Sequence, residues 1–114
     1  MGGSFATSDS HSQFHLKPLR VPARREEVFQ EACNLAHDLP GWQVENEDAS
    51  SGTLVCRRKG SVLAAAATLT IHVEGPDGIP SATVNARSES EGGLLSRDRA
   101  HVLHFMKLFH RRVC

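Results

Sequence analysis

Seven histidines, three cysteines and a short basic run carry most of the chemical potential of this 114-residue chain. His101 and His104 stand three apart, the spacing that sets two imidazoles on one side of a helix. Such a pair can chelate one ion once a third ligand arrives. Counting around the helix turns both away from Val102 and Met106, toward water, and no carboxylate stands at matching spacing. The expectation is therefore two surface histidines, no metal and no cofactor. Cys33, Cys56 and Cys114 would each need a neighbouring base or a helix N-terminus to become nucleophiles. Cys33 falls on an apolar helical stripe and Cys56 on the apolar side of a strand, so both read as small buried hydrophobes. Cys114 reads as an exposed terminal thiol.

Arg57, Arg58, Lys59 and Arg87, with Asn85, form a basic and polar set suited to a carboxylate or phosphate. Ordinary solubility explains them too, because cations on an open sheet face discourage unwanted strand pairing. His72 lies on the polar side of its strand beside Thr70, across from about Thr83. The candidate ligand-binding residues are thus Arg57, Thr70, His72, Asn85 and Arg87. Gly92-Gly93 ahead of a helix lacks the spacing of a phosphate-cradling loop. Nothing pairs a nucleophile with a base or one carboxylate with another. That absence favours a non-catalytic binding or protein-interaction module, held to an unknown protein partner or a small ligand. The opposing reading is a small enzyme or ligand-binding protein that acts on an anionic small molecule through Arg87, His72 and Asn85 on the open sheet face.

The elements that must position these side chains follow from periodicity. Residues 1–12 are small and polar and predict a flexible tail, with residues 13–114 forming a single domain. Phe14, Leu16, Leu19 and Val21, around Pro18, predict a short extended edge segment. Pro22 suits a first helical turn, Glu26 and Glu27 suit its positive end, and Val28, Ala32, Leu35, Ala36 and Leu39 mark one helical face. Pro40-Gly41 stops that helix. Strands are predicted over Trp42–Glu45, Thr53–Arg58, Thr68–Glu74 and Ser81–Ser88, separated by turn signals at 49–52, 59–61 and 75–78. Ser96 is the expected cap of a second helix whose stripe is Val102, Met106, Phe109 and Val113. The small-residue run Val62–Ala67 reads as strand packed beneath a helix, with a flat contact site for a partner or second copy as the alternative. Local turns imply antiparallel pairing, and two amphipathic stripes need one apolar face. The fold class is α+β, an antiparallel sheet of about four to five strands with two helices packed on one face.

Thirteen basic and thirteen acidic residues cancel, which argues against nucleic acid and gives no reason to expect a membrane surface. An odd cysteine count without CxxC spacing fits free thiols in a reducing compartment, so a cytoplasmic location is expected. No basic region followed by an apolar run begins the chain, so no signal peptide is expected. A homodimer is compatible with all of this.

The order helix, about four strands, helix resembles a family of small, mostly bacterial domains, the domain-of-unknown-function family numbered fourteen ninety-nine. The likeness spans about residues 22–112 and is carried by Trp42-Gln43-Val44, Gly52-Thr53-Leu54 and Val84-Asn85-Ala86-Arg87-Ser88-Glu89-Ser90. In that family an Arg-Ser-x-Ser strand end leads through a glycine-containing loop into the last helix, and Arg87, Ser88, Ser90 and Gly92 or Gly93 stand at those places. The family's following Asp-x-Gly-x-Asn stretch is replaced here by Ser96-Arg97-Asp98-Arg99-Ala100-His101. Having no known activity, the family implies the fold and little else. The run Val21-Pro22-Ala23-Arg24-Arg25-Glu26-Glu27-Val28 is also similar to shortened members of the helix-grip lipid-binding and cyclase group.

Overall fold

The computed structural model describes residues 4–60, 66–90 and 97–113. Its elements run β1 (Ser4–Ala6), β2 (Leu19–Val21), α1 (Arg25–Asp38), β3 (Gln43–Asp48), β4 (Thr53–Arg58), β5 (Ala67–Glu74), β6 (Ala82–Ser90) and α2 (Asp98–Val113), with a single 3-10 turn at Phe14–Leu16. Among the described residues six strands make one antiparallel sheet in the order β1-β6-β5-β4-β3, and β2 also pairs with β6. The architecture is the α+β arrangement expected from the sequence, with a slightly higher strand count.

Strict alternation decides which face is covered. Along β5, Ala67, Leu69, Ile71 and Val73 are buried while Thr68, Thr70 and His72 are only partly covered. Along β6, Ala82, Val84, Ala86, Ser88 and Ser90 point inward. Leu54 and Cys56 continue the same surface on β4. Both helices lie on this side. α1 contributes Val28, Phe29, Ala32, Cys33, Leu35 and Ala36, and α2 contributes Val102, Phe105, Met106 and Phe109. Phe105 and Phe109 stack with ring centres 5.7 Å apart. Arg112 reaches Asp38 at 2.7 Å and links the two helix C-terminal ends.

Three local expectations are corrected. Residues 4–6, placed in the tail by their small polar neighbours, form β1, pairing Ser4, Phe5 and Ala6 with Glu89, Ser88 and Arg87. The edge segment around Pro18 is confined to β2, which pairs Leu19, Arg20 and Val21 with Val84, Thr83 and Ala82. β1 and β2 are thus two halves of one edge strand, interrupted by residues 7–18. Thr7 closes the gap: its amide donates to the Ala86 carbonyl at 2.9 Å and its hydroxyl oxygen accepts from the Ala86 amide at 3.1 Å. The excursion is pinned to α2 where His15 Nε2 meets His110 Nδ1 at 3.2 Å. Finally, α1 starts three residues after Pro22, because the Ala23 amide bonds the Val21 carbonyl in a tight bend before the helix can begin. The expected cap Ser96, the Gly92-Gly93 loop, residues 62–65 of the small-residue run and Cys114 lie outside the described residues.

The β3–β4 hairpin turns on Gly52, which has φ +71°. A methyl group there would press into the backbone carbonyl of Val73, whose amide also bonds the Gly52 carbonyl at 2.8 Å. Asp48 accepts from the amide and hydroxyl of Ser50, at 3.1 and 2.6 Å, and completes the turn. Gly78 also has positive φ, +75°, but open space around it. Gly78→Ala should therefore lose only the left-handed backbone cost, about 1–2 kcal/mol. Gly52→Ala adds the collision with Val73 and should lose more than about 2 kcal/mol in urea unfolding.

Candidate functional site

The face opposite the helices is bare and polar, and its cross-strand register sets the candidate residues in rows. Thr53, His72 and Asn85 form one row across β4, β5 and β6; Val55, Thr70 and Arg87 form the next; Arg57, Thr68 and Glu89 form a third. Thr70, His72, Asn85 and Arg87 line a shallow depression of about 320 Å³ together with Thr7 and Glu89. Four of the five residues singled out from the sequence are therefore brought together. Arg57 is not among them: β5 stands between its strand and β6, and its guanidinium donates to Thr68 at 3.4 Å.

Thr7, His72, Asn85, Arg87 and Glu89 each have a polar group nearby. The Thr7 hydroxyl donates to Asn85 Oδ1 at 2.7 Å, which fixes the amide. Arg87 Nε lies 3.1 Å from Glu89 Oε1, an exposed pair worth little to stability. His72 Nδ1 is 3.4 Å from the Thr53 hydroxyl, and its Nε2 is 3.8 Å from Glu74. Hydroxyl, imidazole and carboxylate in that sequence are the ingredients of a catalytic triad, but 3.8 Å exceeds hydrogen-bond length. What remains is a surface of donors and acceptors set by strand pairing, able to hold a polar or carboxylate-bearing group.

Cys33 and Cys56 sit as expected. Burial pushes the Cys33 thiol up to about 12, with the Glu47 carboxylate adding to the effect, and pushes Cys56 up to about 11. Both are buried protonated thiols near neutral pH. Among the described residues no group of three or more His, Cys, Asp or Glu side chains could hold a metal ion.

His101 is a correction. His104 is exposed, but His101 is half-buried, its ring set edge-on to Trp42 at 5.1 Å and its Nδ1 3.2 Å from the Ser88 hydroxyl. Trp42 folds back from the start of β3 and covers the flank that helical counting had assigned to water. Beside it lies a polar cluster that sequence reasoning missed. Ser88 and Ser90 donate to the same Asp98 oxygen, at 2.7 and 2.6 Å, and all three residues are buried. The signal was available: both serines share the parity of Val84 and Ala86, so they were bound to point inward and to need a partner there. Ser88 is fully buried, which withholds its hydroxyl from any substrate.

No protein-family model matches this chain, and no curated protein matches it. Among the described residues no helix is long and apolar enough to cross a membrane.

Two outcomes follow from the cluster. Asp98→Ala strands two buried hydroxyls and should cost about 2–4 kcal/mol in urea unfolding, more than Ser90→Ala. Burial, then the Arg58 charge, lowers the pKa of His101, partly opposed by Asp98. The unfolded chain therefore binds the proton more readily, and the contribution of the neutral ring is intact above its ordinary value of about 6.5. It is lost as pH falls through the depressed folded value. The urea midpoint should drop on acidification from pH 7 to 5, and less steeply in His101→Gln.

Proposed function

We propose that this protein is a non-catalytic binding module that presents the uncovered face of β4, β5 and β6 to a partner bearing carboxylate or other acceptor groups. The observation that carries the reading is the gathering of Thr70, His72, Asn85 and Arg87 in one depression, on the face that neither helix covers. A shallow, open surface of hydroxyls, an imidazole, an amide and the Arg87–Glu89 pair suits recognition. Catalysis would ask for an activated group, and the two described cysteines are buried thiols while Ser88 is enclosed. A protein partner, including a second copy of the chain, or a small ligand fits this surface. A reducing compartment such as the cytoplasm is our proposed location, supported by buried cysteines without a partner thiol among the described residues. Kinship with the family numbered fourteen ninety-nine is proposed on the same footing. Its support is the helix–strands–helix order and the Arg87-Ser88-Glu89-Ser90 strand end, whose serines here hold Asp98.

The reading is tested by titrating nitrogen-15-labelled protein with short acetylated peptides rich in Asp and Glu and following backbone amide shifts. Shifts should concentrate at Thr70, His72, Asn85 and Arg87, and Arg87→Ala should remove most of them without moving the melting temperature by more than a degree or two. Shifts confined elsewhere, or none, would sink the face assignment. Cleaved or otherwise altered peptide in the recovered mixture would overturn the non-catalytic reading.

A further inference from the structure

Thr7 reaches the open face by a route that strand alternation does not offer. Along β1, Ser4 and Ala6 are exposed and Phe5 is half-buried, so the next residue in register would turn toward the covered side. The strand ends at Ala6, opposite Arg87, and the chain bends there, carrying the Thr7 side chain across to Asn85 on the uncovered face. The bend is held further along: the Ser8 amide donates to the Leu16 carbonyl at 3.0 Å, and Leu16 is buried. Ala6 and Thr7 thereby line the same depression as Thr70, His72, Asn85 and Arg87.

Hydrogen-bond accounting then fixes which way the Asn85 amide faces. Thr7 has one hydroxyl proton, and two acceptors stand near it, Asn85 Oδ1 at 2.7 Å and the Ala86 carbonyl at 3.4 Å. The first is the usual length for a hydroxyl donor and the second lies beyond it. The Ala86 carbonyl is already served by the Thr7 amide at 2.9 Å, and the Ala86 amide donates to the hydroxyl oxygen at 3.1 Å. Turned the other way, Asn85 would offer Nδ2 to that oxygen and force the hydroxyl proton onto the long contact. Asn85 Oδ1 is therefore committed to Thr7, and Nδ2 keeps both protons without a partner among the described residues. Its neighbours are less free: Arg87 Nε is engaged by Glu89, and His72 Nδ1 lies 3.4 Å from the Thr53 hydroxyl.

We propose, resting on the reading of that face as a binding surface, that Thr7 is a positioning residue which holds the Asn85 amide with Nδ2 turned into the depression, so that the site receives a partner's carboxylate oxygen there. An asparagine amide left to itself turns over and meets a donor or an acceptor equally well. Held by Thr7, it presents donors alone, so an acceptor oxygen is received and an ammonium or amide proton is refused. Fixing the group beforehand also removes the cost of ordering it on binding. The N-terminal segment thus belongs to the site, although Thr7 stands 78 positions from Asn85 in the chain.

Asparagine side-chain amides are visible in nitrogen-15 spectra, so acetylated peptides rich in Asp and Glu can be followed at Asn85 Nδ2 itself. Its proton pair should shift saturably, in step with the backbone amides of the face. Thr7→Val keeps the side-chain shape and removes the hydroxyl, and it should weaken the peptide about tenfold, the effect of losing one oriented hydrogen bond to a charged group. Thr7→Ser restores the hydroxyl and should bind as the parent does. Asn85→Asp keeps an acceptor for Thr7 but replaces Nδ2 with an oxygen, and it should abolish peptide binding while its melting temperature stays near the parent's. Peptide shifts at Thr70, His72 and Arg87 with a stationary Asn85 side-chain pair would overturn the role of Thr7 and leave the face reading standing. Unchanged affinity in Thr7→Val or Asn85→Asp, or a loss in Thr7→Ser as deep as in Thr7→Val, would do the same. No shift anywhere on the face of the parent protein takes both readings down together.

Discussion

A sheet with only one apolar face governs this molecule. Leu54 and Cys56, then Leu69, Ile71 and Val73, then Val84 and Ala86 form a continuous surface, and every intervening residue on β5 is polar. Burying a large apolar side chain contributes about 1.5–3 kcal/mol, whereas an exposed ion pair contributes about 0–1. The twenty-four buried apolar side chains among the described residues therefore outweigh the scattered pairs such as Arg25–Asp77 by a wide margin. Once the apolar surface lies on one side, both helical stripes must go there. The other face is left bare for a reason that has nothing to do with recognition.

Small residues decide how closely α2 settles. Ala82, Ala86, Ser88 and Ser90 on β6 leave room for Phe105, Met106 and Phe109 to lie against the strand. The serines bring a cost, since their hydroxyls are taken from water, and Asp98 offsets it by accepting from both. The acid also stands in the first turn of α2, where the helix dipole favours a negative charge. Hydrophobic contact alone would let a helix slide along its partner. Two short bonds to one carboxylate oxygen fix where the helix begins relative to the strand.

Long periodic segments were legible in the sequence, and short or interleaved ones were not. The 3.6-residue stripe from Val28 and the two-residue alternation from Thr68 each repeat often enough to leave a single reading. β1 offers three residues of which only Phe5 is a large apolar side chain, and what holds it is backbone pairing plus the Thr7 hydroxyl, neither visible as a hydropathy pattern. His101 was misplaced because a helical wheel knows its own helix and not the Trp42 ring that arrives from 59 positions earlier. Thr70, His72, Asn85 and Arg87 fall together because parity on neighbouring antiparallel strands places them on a common face. Arg57 shared that parity but not the neighbourhood, since lateral distance depends on strand order, which alternation alone does not encode.

The sheet's edges add a last constraint on what its open face can meet. β3 forms one edge, and it is acidic and shifted in register between Val44 and Asn46, two features that blunt strand-to-strand pairing. The other edge is the broken β1–β2 pair, whose gap is filled by the Thr7 side chain rather than by a continuous backbone ladder. An incoming strand would find an even row of unpaired groups on neither side. On the proposed reading, contact runs through side chains rather than sheet extension, which on the bare face means the threonine, histidine, asparagine and arginine rows. Face recognition depends on which side chains are present, whereas edge pairing accepts almost any extended chain, so blunted edges also favour a selective partner.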